Sequence, residues 1–151
     1  MKDAATPSFI TTGVVGSVRS VYETASIITI RSGVTTDGTL ISMRVEAYFN
    51  GGAYGGAKAV PTNNVHGIEQ AASCYRIPAV DIKSYVAYTN TIPSGHMRAP
   101  GGPQTTFAVE SHLNLIAQEI GMDAAAFRMK NLLQAGDTAS TGEQWGTIKA
   151  Q

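Results

Sequence analysis

Two β-prone runs separated by a short turn constrain the fold more tightly than any other part of the sequence. The runs are residues 25–32 and 39–49, and Asp37-Gly38 lies between them. In the second run, apolar residues alternate with polar or amphipathic ones, which indicates a strand with one buried face. Asp-Gly favours a hairpin turn because both residues tolerate positive φ. An antiparallel hairpin is therefore predicted here.

Two other segments are predicted to be strands. Val80 to Thr89 alternates in the same way and follows the break at Ile77-Pro78. Phe9 to Val18 is also β-prone, although Gly13 and Gly16 weaken the pattern or mark a bulge. After Phe49 the chain is expected to leave the sheet through the glycine-rich segment 50–56.

Two consecutive helices are predicted after residue 104. The first has Thr105 or Thr106 as N-cap and ends at Gly121 as C′; the second follows Asp123 as N-cap and ends at Leu133. A short helix is also predicted within residues 61–75. The apolar positions expected to face the core are Val109, Leu113, Ile116, Ala117, Ile120, Phe127 and Leu132.

These elements predict an α+β fold. We expect a mixed or antiparallel sheet of three to five strands, with two consecutive C-terminal helices packed on one face. Residues 1–133 are predicted to form a single domain and residues 134–151 a polar tail. With 43% apolar and 15% charged residues, the 151-residue chain has the composition of a folded globular protein.

Charge excludes some functional classes. Lysine plus arginine equals aspartate plus glutamate, the formal net charge is zero, and no basic run is present. A nucleic-acid partner is therefore not expected. Low charge combined with high apolar content suggests that part of the surface is normally covered.

Cysteine and histidine usage argues against a metal centre formed by this chain. Cys74 is the only cysteine, so an internal disulfide and cysteine-ligated iron–sulfur or zinc sites are not expected; it is predicted to fill core space. His66, His96 and His112 lack the spacing of metal ligands. No stretch has the length and apolarity of a signal peptide or membrane span, so we expect no membrane association and a cytoplasmic protein.

The long polar loop from Thr89 to Gln104 is the strongest candidate for a functional site. It is rich in glycine and proline and leads directly into a predicted helix. Unpaired amides and the positive end of the helix dipole at such a junction favour an anion. Arg98 could bind an oxygen-rich anionic group or, alternatively, cap carbonyls and hold the loop. The Gly101-Gly102 pair lets amides point at an anion, and Gln104 offers both a donor and an acceptor.

Three segments in order carry a resemblance to a known family. They are the loop from Thr89-Asn90 to Met97-Arg98-Ala99-Pro100-Gly101-Gly102-Pro103-Gln104, a predicted helix with an inward glutamate, and Gly121-Met122-Asp123 continuing to Leu133. From about Val21 to Leu133 the chain resembles the molybdopterin-binding large subunit of the xanthine dehydrogenase and aldehyde oxidase family, the molybdenum hydroxylases. The matching region is part of the first molybdenum-binding domain. A complete large subunit is several times longer than this chain.

The resemblance implies roles for particular residues. Arg98 would sit beside the molybdenum, and Ala99, Gly101, Gly102 and Gln104 would complete the cofactor-binding loop. Substrate contacts would come from Pro100 and His66, with a solvent-facing His66 as the alternative. Many relatives have Gly and Phe where this chain has Ala99 and Pro100; proline cannot reproduce aromatic stacking on a flat substrate. The catalytic glutamate lies beyond this chain, so no catalytic residue and no metal ligand are expected within it.

Glu110 has two interpretations from the sequence. It could pair with Arg98 and orient it, or it could be a solvated acid near the helix start that complements the dipole. Residues 51–56 match neither a phosphate loop nor a dinucleotide motif. They are interpreted as structural packing near the cofactor domain.

The resulting hypothesis is a fragment of a molybdenum hydroxylase large subunit that helps to seat the molybdenum–pterin, either in its simple form or as the cytosine dinucleotide. The family hydroxylates aldehydes or N-heterocycles with water-derived oxygen. Its iron–sulfur clusters and flavin lie on other domains or subunits, which would be the partners together with a small-molecule substrate. The isolated chain is expected to be inactive. The alternatives are a stand-alone α+β module that binds a protein partner and a small enzyme acting on a phosphorylated ligand.

Overall fold

Four strands form one mixed sheet in the computed structural model, which describes residues 8–16, 25–54, 67–72, 74–95, 99–139 and 142. The sheet order is β1-β2-β3-β4. The β1–β2 and β2–β3 pairs are antiparallel, and the β3–β4 pair is parallel. The strands are β1 (Ser8–Gly16), β2 (Ser26–Val34), β3 (Leu40–Gly52) and β4 (Ala79–Tyr88).

Three helical elements accompany the sheet. They are a 3-10 helix (Ile68–Ala72), helix α1 (Gly102–Glu119) and helix α2 (Ala124–Asn131). The predicted α+β class, with a mixed sheet and two consecutive C-terminal helices, is confirmed. The 3-10 helix lies inside the range predicted for the short helix.

Alternation in β2 and β3 buries one face of the sheet, as the sequence predicts. The buried residues on this face are Ile28, Ile30, Met43, Val45, Ala47 and Phe49. They join the apolar residues of α1 and of the 3-10 helix in a single core. Arg44 and Tyr48 point to the opposite, exposed face. Val80, Ile82 and Val86 of β4 are only partly buried against the core.

The β2–β3 hairpin turns at residues 35–39. Thr35 donates its amide to the carbonyl of Thr39 at 3.0 Å, and Gly38 donates to the carbonyl of Thr35 at 2.9 Å. Gly38 has φ 84°, whereas Asp37 is not among the residues with positive φ. The hairpin is therefore confirmed, with only one of the two central residues in the left-handed region.

Strand β3 continues further than the sequence predicts. Asn50 pairs with Ala87 and Gly52 with Tyr88, with an irregularity between the two pairs. The expectation that the chain leaves the sheet directly after Phe49 is therefore wrong. Backbone pairing with the parallel neighbour extends the strand where the side chains give no β signal.

Helix α1 begins earlier than the sequence predicts. Its N-cap is Gly101, and Pro103 lies in its first turn. Proline suits this position because its fixed φ is helical and its missing N–H is not needed there. Thr105 is buried inside the first turn, so neither Thr105 nor Thr106 is the N-cap.

The predicted end of α1 is correct. Gly121 has φ 68°, and its amide donates to the carbonyl of Gln118 at 3.1 Å. The amide of Met122 donates to the carbonyl of Ala117 at 2.8 Å. These two bonds form a Schellman motif, which satisfies carbonyls at the helix end.

Helix α2 has the predicted start but a different end. The Asp123 side chain accepts hydrogen bonds from the amides of Ala125 and Ala126. The helix stops at Asn131 because Leu132 is extended and forms a bridge with Tyr75. Phe127 is buried as predicted, whereas Leu132 is half-buried and Leu133 is buried instead.

Candidate functional site

Asn50 fixes the beginning of the candidate loop. Its side-chain oxygen accepts hydrogen bonds from the amide of Gly52 at 3.0 Å and from the hydroxyl of Thr89 at 2.6 Å. Its side-chain nitrogen donates to the hydroxyl of Thr91 at 3.2 Å. The side-chain amide of Asn50, near the end of β3, thus orients the chain as it leaves β4.

The next part of the loop packs directly on the glycines at the end of β3. Both the amide and the hydroxyl of Ser94 donate to the carbonyl of Gly51, at 3.2 and 3.1 Å. A Cβ added to Gly52 would lie 2.3 Å from the carbonyl oxygen of Ile92 and 2.7 Å from Cα of Pro93. The predicted packing role of residues 51–56 is thus confirmed for Gly51 and Gly52; residues 55 and 56 lie outside the described residues.

The end of the loop is a tight turn that starts α1. Ala99 and Gly101 both have left-handed backbone conformations, with φ 57° and 74°. The amide of Gly102 donates to the carbonyl of Ala99 at 2.9 Å, and the amide of Thr105 donates to the carbonyl of Gly101 at 3.0 Å. A left-handed conformation is costly for alanine, by roughly 1–2 kcal/mol. We refer to Ala99–Gln104 as the α1 entry turn.

The hydrogen-bond donors of the α1 entry turn differ from those expected at a simple helix start. The amide of Gly102 is already bonded within the turn, and Pro103 has none. Among the described residues, the amides of Ala99 and Gly101 donate no hydrogen bond. Two donors at the positive end of the helix dipole are therefore available to an oxygen acceptor.

A buried hydroxyl adds to this set. Thr105 is only 1% exposed, and within the described part of the chain its hydroxyl has no hydrogen-bond partner. Gln104, in the same turn, is also buried. Because buried polar atoms normally have partners, an additional oxygen-rich group close to Thr105 would fit the local chemistry.

Gly67 lies behind the α1 entry turn. A Cβ added to it would be 2.7 Å from the amide nitrogen of Gly102, 2.8 Å from the carbonyl oxygen of Pro100 and 3.0 Å from the carbonyl carbon of Gly101. The start of the 3-10 helix therefore touches the turn backbone to backbone. The sequence shows a glycine here but not what it contacts.

The structure brings together most of the predicted site residues. Ala99, Pro100, Gly101, Gly102 and Gln104 form the α1 entry turn. Arg98 and His66, together with His96, lie outside the described residues. The predicted roles of Arg98 and His66 therefore stay predictions.

Glu110 contributes to packing between elements rather than to the turn. It accepts hydrogen bonds from the hydroxyl of Tyr75 at 2.8 Å and from Nε of Arg128 at 2.7 Å. Arg128 also donates to the carbonyls of Glu110 and Ala124. The interpretation of Glu110 as a solvated acid is wrong, because partners far along the chain hold both of its carboxylate oxygens. Burial and the bond to Glu110 raise the pKa of the Tyr75 hydroxyl far above its usual value.

His112 is a core residue whose burial the sequence did not reveal. It is fully buried, and its Nε2 lies 2.9 Å from the hydroxyl of Ser32. Burial lowers the pKa of the imidazole to about 4, so the ring is neutral at neutral pH. Its place on the apolar face of α1, four residues from Ile116 and one from Leu113, was the available signal.

Other features limit what the described residues can do. They contain no group of three or more His, Cys, Asp or Glu side chains placed to hold a metal ion. Cys74 is half-buried against the core, in keeping with a packing role, and burial raises the pKa of its thiol. Within the same residues, no helix combines the length and apolar character needed to span a membrane. The donors of the α1 entry turn are neutral backbone and hydroxyl groups, which can hydrogen-bond an oxygen acceptor.

Comparison with known proteins agrees with this chemistry. Residues 18–132 match the family model described as "Molybdopterin cofactor-binding domain". A probable xanthine dehydrogenase polypeptide from Bacillus subtilis is 34% identical over 110 residues, which are 73% of this chain and 14% of that protein. The nicotinate dehydrogenase large molybdopterin subunit of Eubacterium barkeri is 32% identical over 115 residues, or 75% of this chain and 26% of that subunit.

A solved structure has the same fold. The aldehyde oxidoreductase of Desulfovibrio gigas aligns with a TM-score of 0.71 and 26% identity, over 81% of this chain and 13% of that one. The chain therefore spans roughly a quarter or less of the length of these relatives.

Proposed function

This chain belongs to the family of molybdopterin cofactor-binding domains, and we propose that its α1 entry turn helps to seat the molybdenum–pterin cofactor in a molybdenum hydroxylase large subunit. The observation that carries the proposal is the set of donors at the turn. The amides of Ala99 and Gly101 and the hydroxyl of Thr105 have no acceptor among the described residues. All three are neutral donors at the positive end of one helix dipole.

These donors fit the proposed cofactor in kind. A molybdenum–pterin presents phosphate, carbonyl and metal-bound oxygens, which accept hydrogen bonds. Backbone donors on a helix entry are held by the fold and need no rearrangement to meet an anion. Ala99, Gly101, Gly102 and Gln104 would therefore form the protein side of the contact.

Two residues outside the described part complete the proposed site. Arg98 directly precedes Ala99 in the sequence, and its guanidinium would add the positive charge that the neutral turn lacks. His66 directly precedes Gly67, the residue that touches the turn. His66 and Pro100 are proposed to contact substrate.

The cofactor would supply oxidative hydroxylation of an aldehyde or N-heterocycle with oxygen derived from water. Relatives named for xanthine and nicotinate support a small-molecule substrate of that kind. Electrons would pass to iron–sulfur clusters and a flavin on other domains or subunits, and the cofactor could carry the cytosine dinucleotide. We propose a cytoplasmic enzyme, with residues 1–133 as one part of a cofactor-binding domain and residues 134–151 as a polar tail.

The role of this chain within that reaction is to bind and orient. Among the described residues, Glu110 is engaged with Tyr75 and Arg128, and the neutral His112 is enclosed in the core. Neither is placed to move a proton at a substrate. The catalytic acid–base group would come from outside this chain, so the 151 residues alone are expected to be inactive.

A second candidate function rests on the outer face of the sheet. Tyr48 and Tyr85 stack there with ring centroids 4.9 Å apart, and Ile27, whose partner in β3 is Tyr48, is 52% exposed. An exposed aromatic and aliphatic row is typical of a surface that another protein covers. A module that only binds a protein partner would use this face.

The two functions differ in whether the amount of bound molybdenum depends on residues of the loop. The test is elemental molybdenum and released pterin, measured on the longest natural subunit that contains this sequence and produced in a host that makes the cofactor. We expect near-stoichiometric molybdenum in the wild type and a loss of at least about tenfold in Arg98→Ala, because an Arg contact to an anionic group contributes about 1.5–3 kcal/mol. Exposed Arg44→Ala, on the outer face, is the matched control and should keep wild-type molybdenum. A wild-type subunit without molybdenum would favour the protein-binding module.

A further inference from the structure

Gly67 cannot accept a side chain without displacing the α1 entry turn. The three atoms nearest to an added Cβ are the amide nitrogen of Gly102, the carbonyl oxygen of Pro100 and the carbonyl carbon of Gly101, all within 3.0 Å. All three belong to the backbone, so no change of rotamer could relieve the overlap. Ordinary contacts begin at 3.4 Å, and the turn would have to move by several tenths of an ångström.

Movement of Gly67 away from the turn is opposed by the 3-10 helix that follows it. Its amide donates to Oε2 of Glu69 at 2.8 Å. The three residues of the 3-10 helix that face inward are buried in the core: Ile68, Ala71 and Ala72. Retreat of Gly67 would expose these apolar side chains or compress the core. The α1 entry turn is therefore the part that would shift.

We infer that Gly67 is a positioning residue for the cofactor: by lacking a side chain, it lets the 3-10 helix support the α1 entry turn from behind and fixes where the amides of Ala99 and Gly101 point. The inference rests on the proposed function. It assigns to Gly67 a role without direct contact to the cofactor. Misplacement of reacting or binding groups by roughly 1 Å can cost about 100-fold in an organised site, so we expect a shift of several tenths of an ångström to have a smaller but measurable effect.

Gly136 provides a matched control. It shares the left-handed backbone of Gly67, with φ 94° against 108°, but an added Cβ there would have nothing within 4 Å. Gly136→Ala therefore introduces the conformational strain of alanine without the overlap. Any difference between Gly67→Ala and Gly136→Ala reports the contact with the turn.

The experiment compares the wild type, Gly67→Ala and Gly136→Ala in the longest natural subunit that contains this sequence. Molybdenum and pterin per polypeptide are measured first, followed by the electron paramagnetic resonance spectrum of Mo(V), which is sensitive to the position of ligands around the metal. For Gly67→Ala we expect molybdenum to fall by about tenfold or more, or a shifted spectrum in the fraction that is loaded. Gly136→Ala should match the wild type in both.

The outcomes separate the inference from the function on which it rests. Wild-type molybdenum and spectrum in Gly67→Ala would overturn the role of Gly67 and leave the proposed function standing. A wild-type subunit that binds no molybdenum would overturn both. Equal losses in Gly67→Ala and Gly136→Ala would overturn the inference too, since strain alone would then explain them.

Glu69→Ala is the variant to use if Gly67→Ala fails to fold. It removes the carboxylate that holds the amide of Gly67 but adds no bulk, and Glu69 is exposed. We expect a smaller effect in the same direction, about twofold to fivefold less molybdenum, with unchanged circular dichroism. Wild-type molybdenum and an unchanged Mo(V) spectrum in Glu69→Ala would count against the inference.

Discussion

Two junctions of the molecule are held together by opposite means. Where α2 meets the β2–β3 hairpin, side chains make the contact: Asn131 donates to the carbonyls of Gly38 and Phe127, each at 2.8 Å, and accepts from the amide of Leu40 at 2.8 Å. Where the candidate loop meets β3 and the 3-10 helix, backbone meets backbone at Gly52 and Gly67. The first junction depends on the side chain of Asn131. The second depends on two glycines that have no side chain, together with hydrogen bonds made by the side chains of Asn50 and Ser94.

The contrast bears on the role proposed for the α1 entry turn. A backbone-to-backbone junction leaves amides and carbonyls fixed in place with little side-chain freedom, which suits a binding turn. A side-chain junction instead satisfies its polar groups internally and leaves none for a ligand. We therefore expect changes at the side-chain junction to affect stability, and changes at the backbone junction to affect the proposed cofactor binding as well.

Gly52→Ala should break the backbone junction most severely. The new Cβ would meet the carbonyl oxygen of Ile92 at 2.3 Å, on a residue with φ 70°. Overpacking and left-handed strain together predict a loss of about 3–5 kcal/mol of unfolding free energy, measured by urea denaturation of the 151-residue chain. Gly121→Ala has a similar φ of 68° but nothing within 4 Å, and should lose only about 1 kcal/mol. Equal losses at both positions would show that strain, not contact, decides the effect.

The buried His112, which links α1 to β2, should make the free energy of unfolding depend on pH. Burial lowers the pKa of its imidazole from 6.5 to about 4, so the unfolded state binds the extra proton between these values. Stability should therefore be complete above pH 6.5, fall as pH decreases towards 4 and then level off, with a total loss of about 3 kcal/mol. Urea midpoints measured across this range in the wild type and in His112→Asn check this. If His112→Asn has the same pH dependence as the wild type, the dependence comes from other groups.

Asn131→Ala should give the smallest of the three losses, about 2 kcal/mol, because it leaves the buried amide of Leu40 without its partner. We expect only the free energy of unfolding to change. Molybdenum retention in the longer subunit should be the same as in the wild type. Exposed Asn114→Ala, within α1, is the control and should change unfolding free energy by less than about 0.5 kcal/mol. Loss of molybdenum in Asn131→Ala at a temperature where the protein is folded would contradict the separation of the two junctions.

Local patterns in the sequence predicted most of the fold. Alternation in β3, the Asp123 cap and the glycine at Gly121 act through neighbours within one turn or one strand, so their physical meaning is readable from adjacent residues. The start of α1 was misplaced because Gly101, Gly102 and Pro103 have the composition of a loop. The extension of β3 to Gly52 depends on pairing with β4, which no local pattern encodes.

Part of the candidate site could be located from the sequence, although its function stays a prediction. The loop and its Gly101-Gly102 pair were identified from composition and resemblance, and the α1 entry turn contains five of the predicted residues. Glu110 is bonded to Tyr75, which follows the 3-10 helix, and to Arg128 of α2. The close contact of Gly67 with the turn comes from a segment far earlier in the chain. Such contacts follow from topology and packing, so single residues read in order do not reveal them.

The parallel pairing of β3 and β4 has a consequence for how relatives of this chain can diverge. Parallel neighbours cannot be joined by a tight turn and need a long crossover, which here runs between Gly52 and Ala79 and includes Gly67. Insertions and deletions in that crossover leave the strand register untouched, whereas a single added residue in the β2–β3 hairpin would shift it. Relatives can therefore differ in the crossover that packs behind the α1 entry turn while they keep the same sheet.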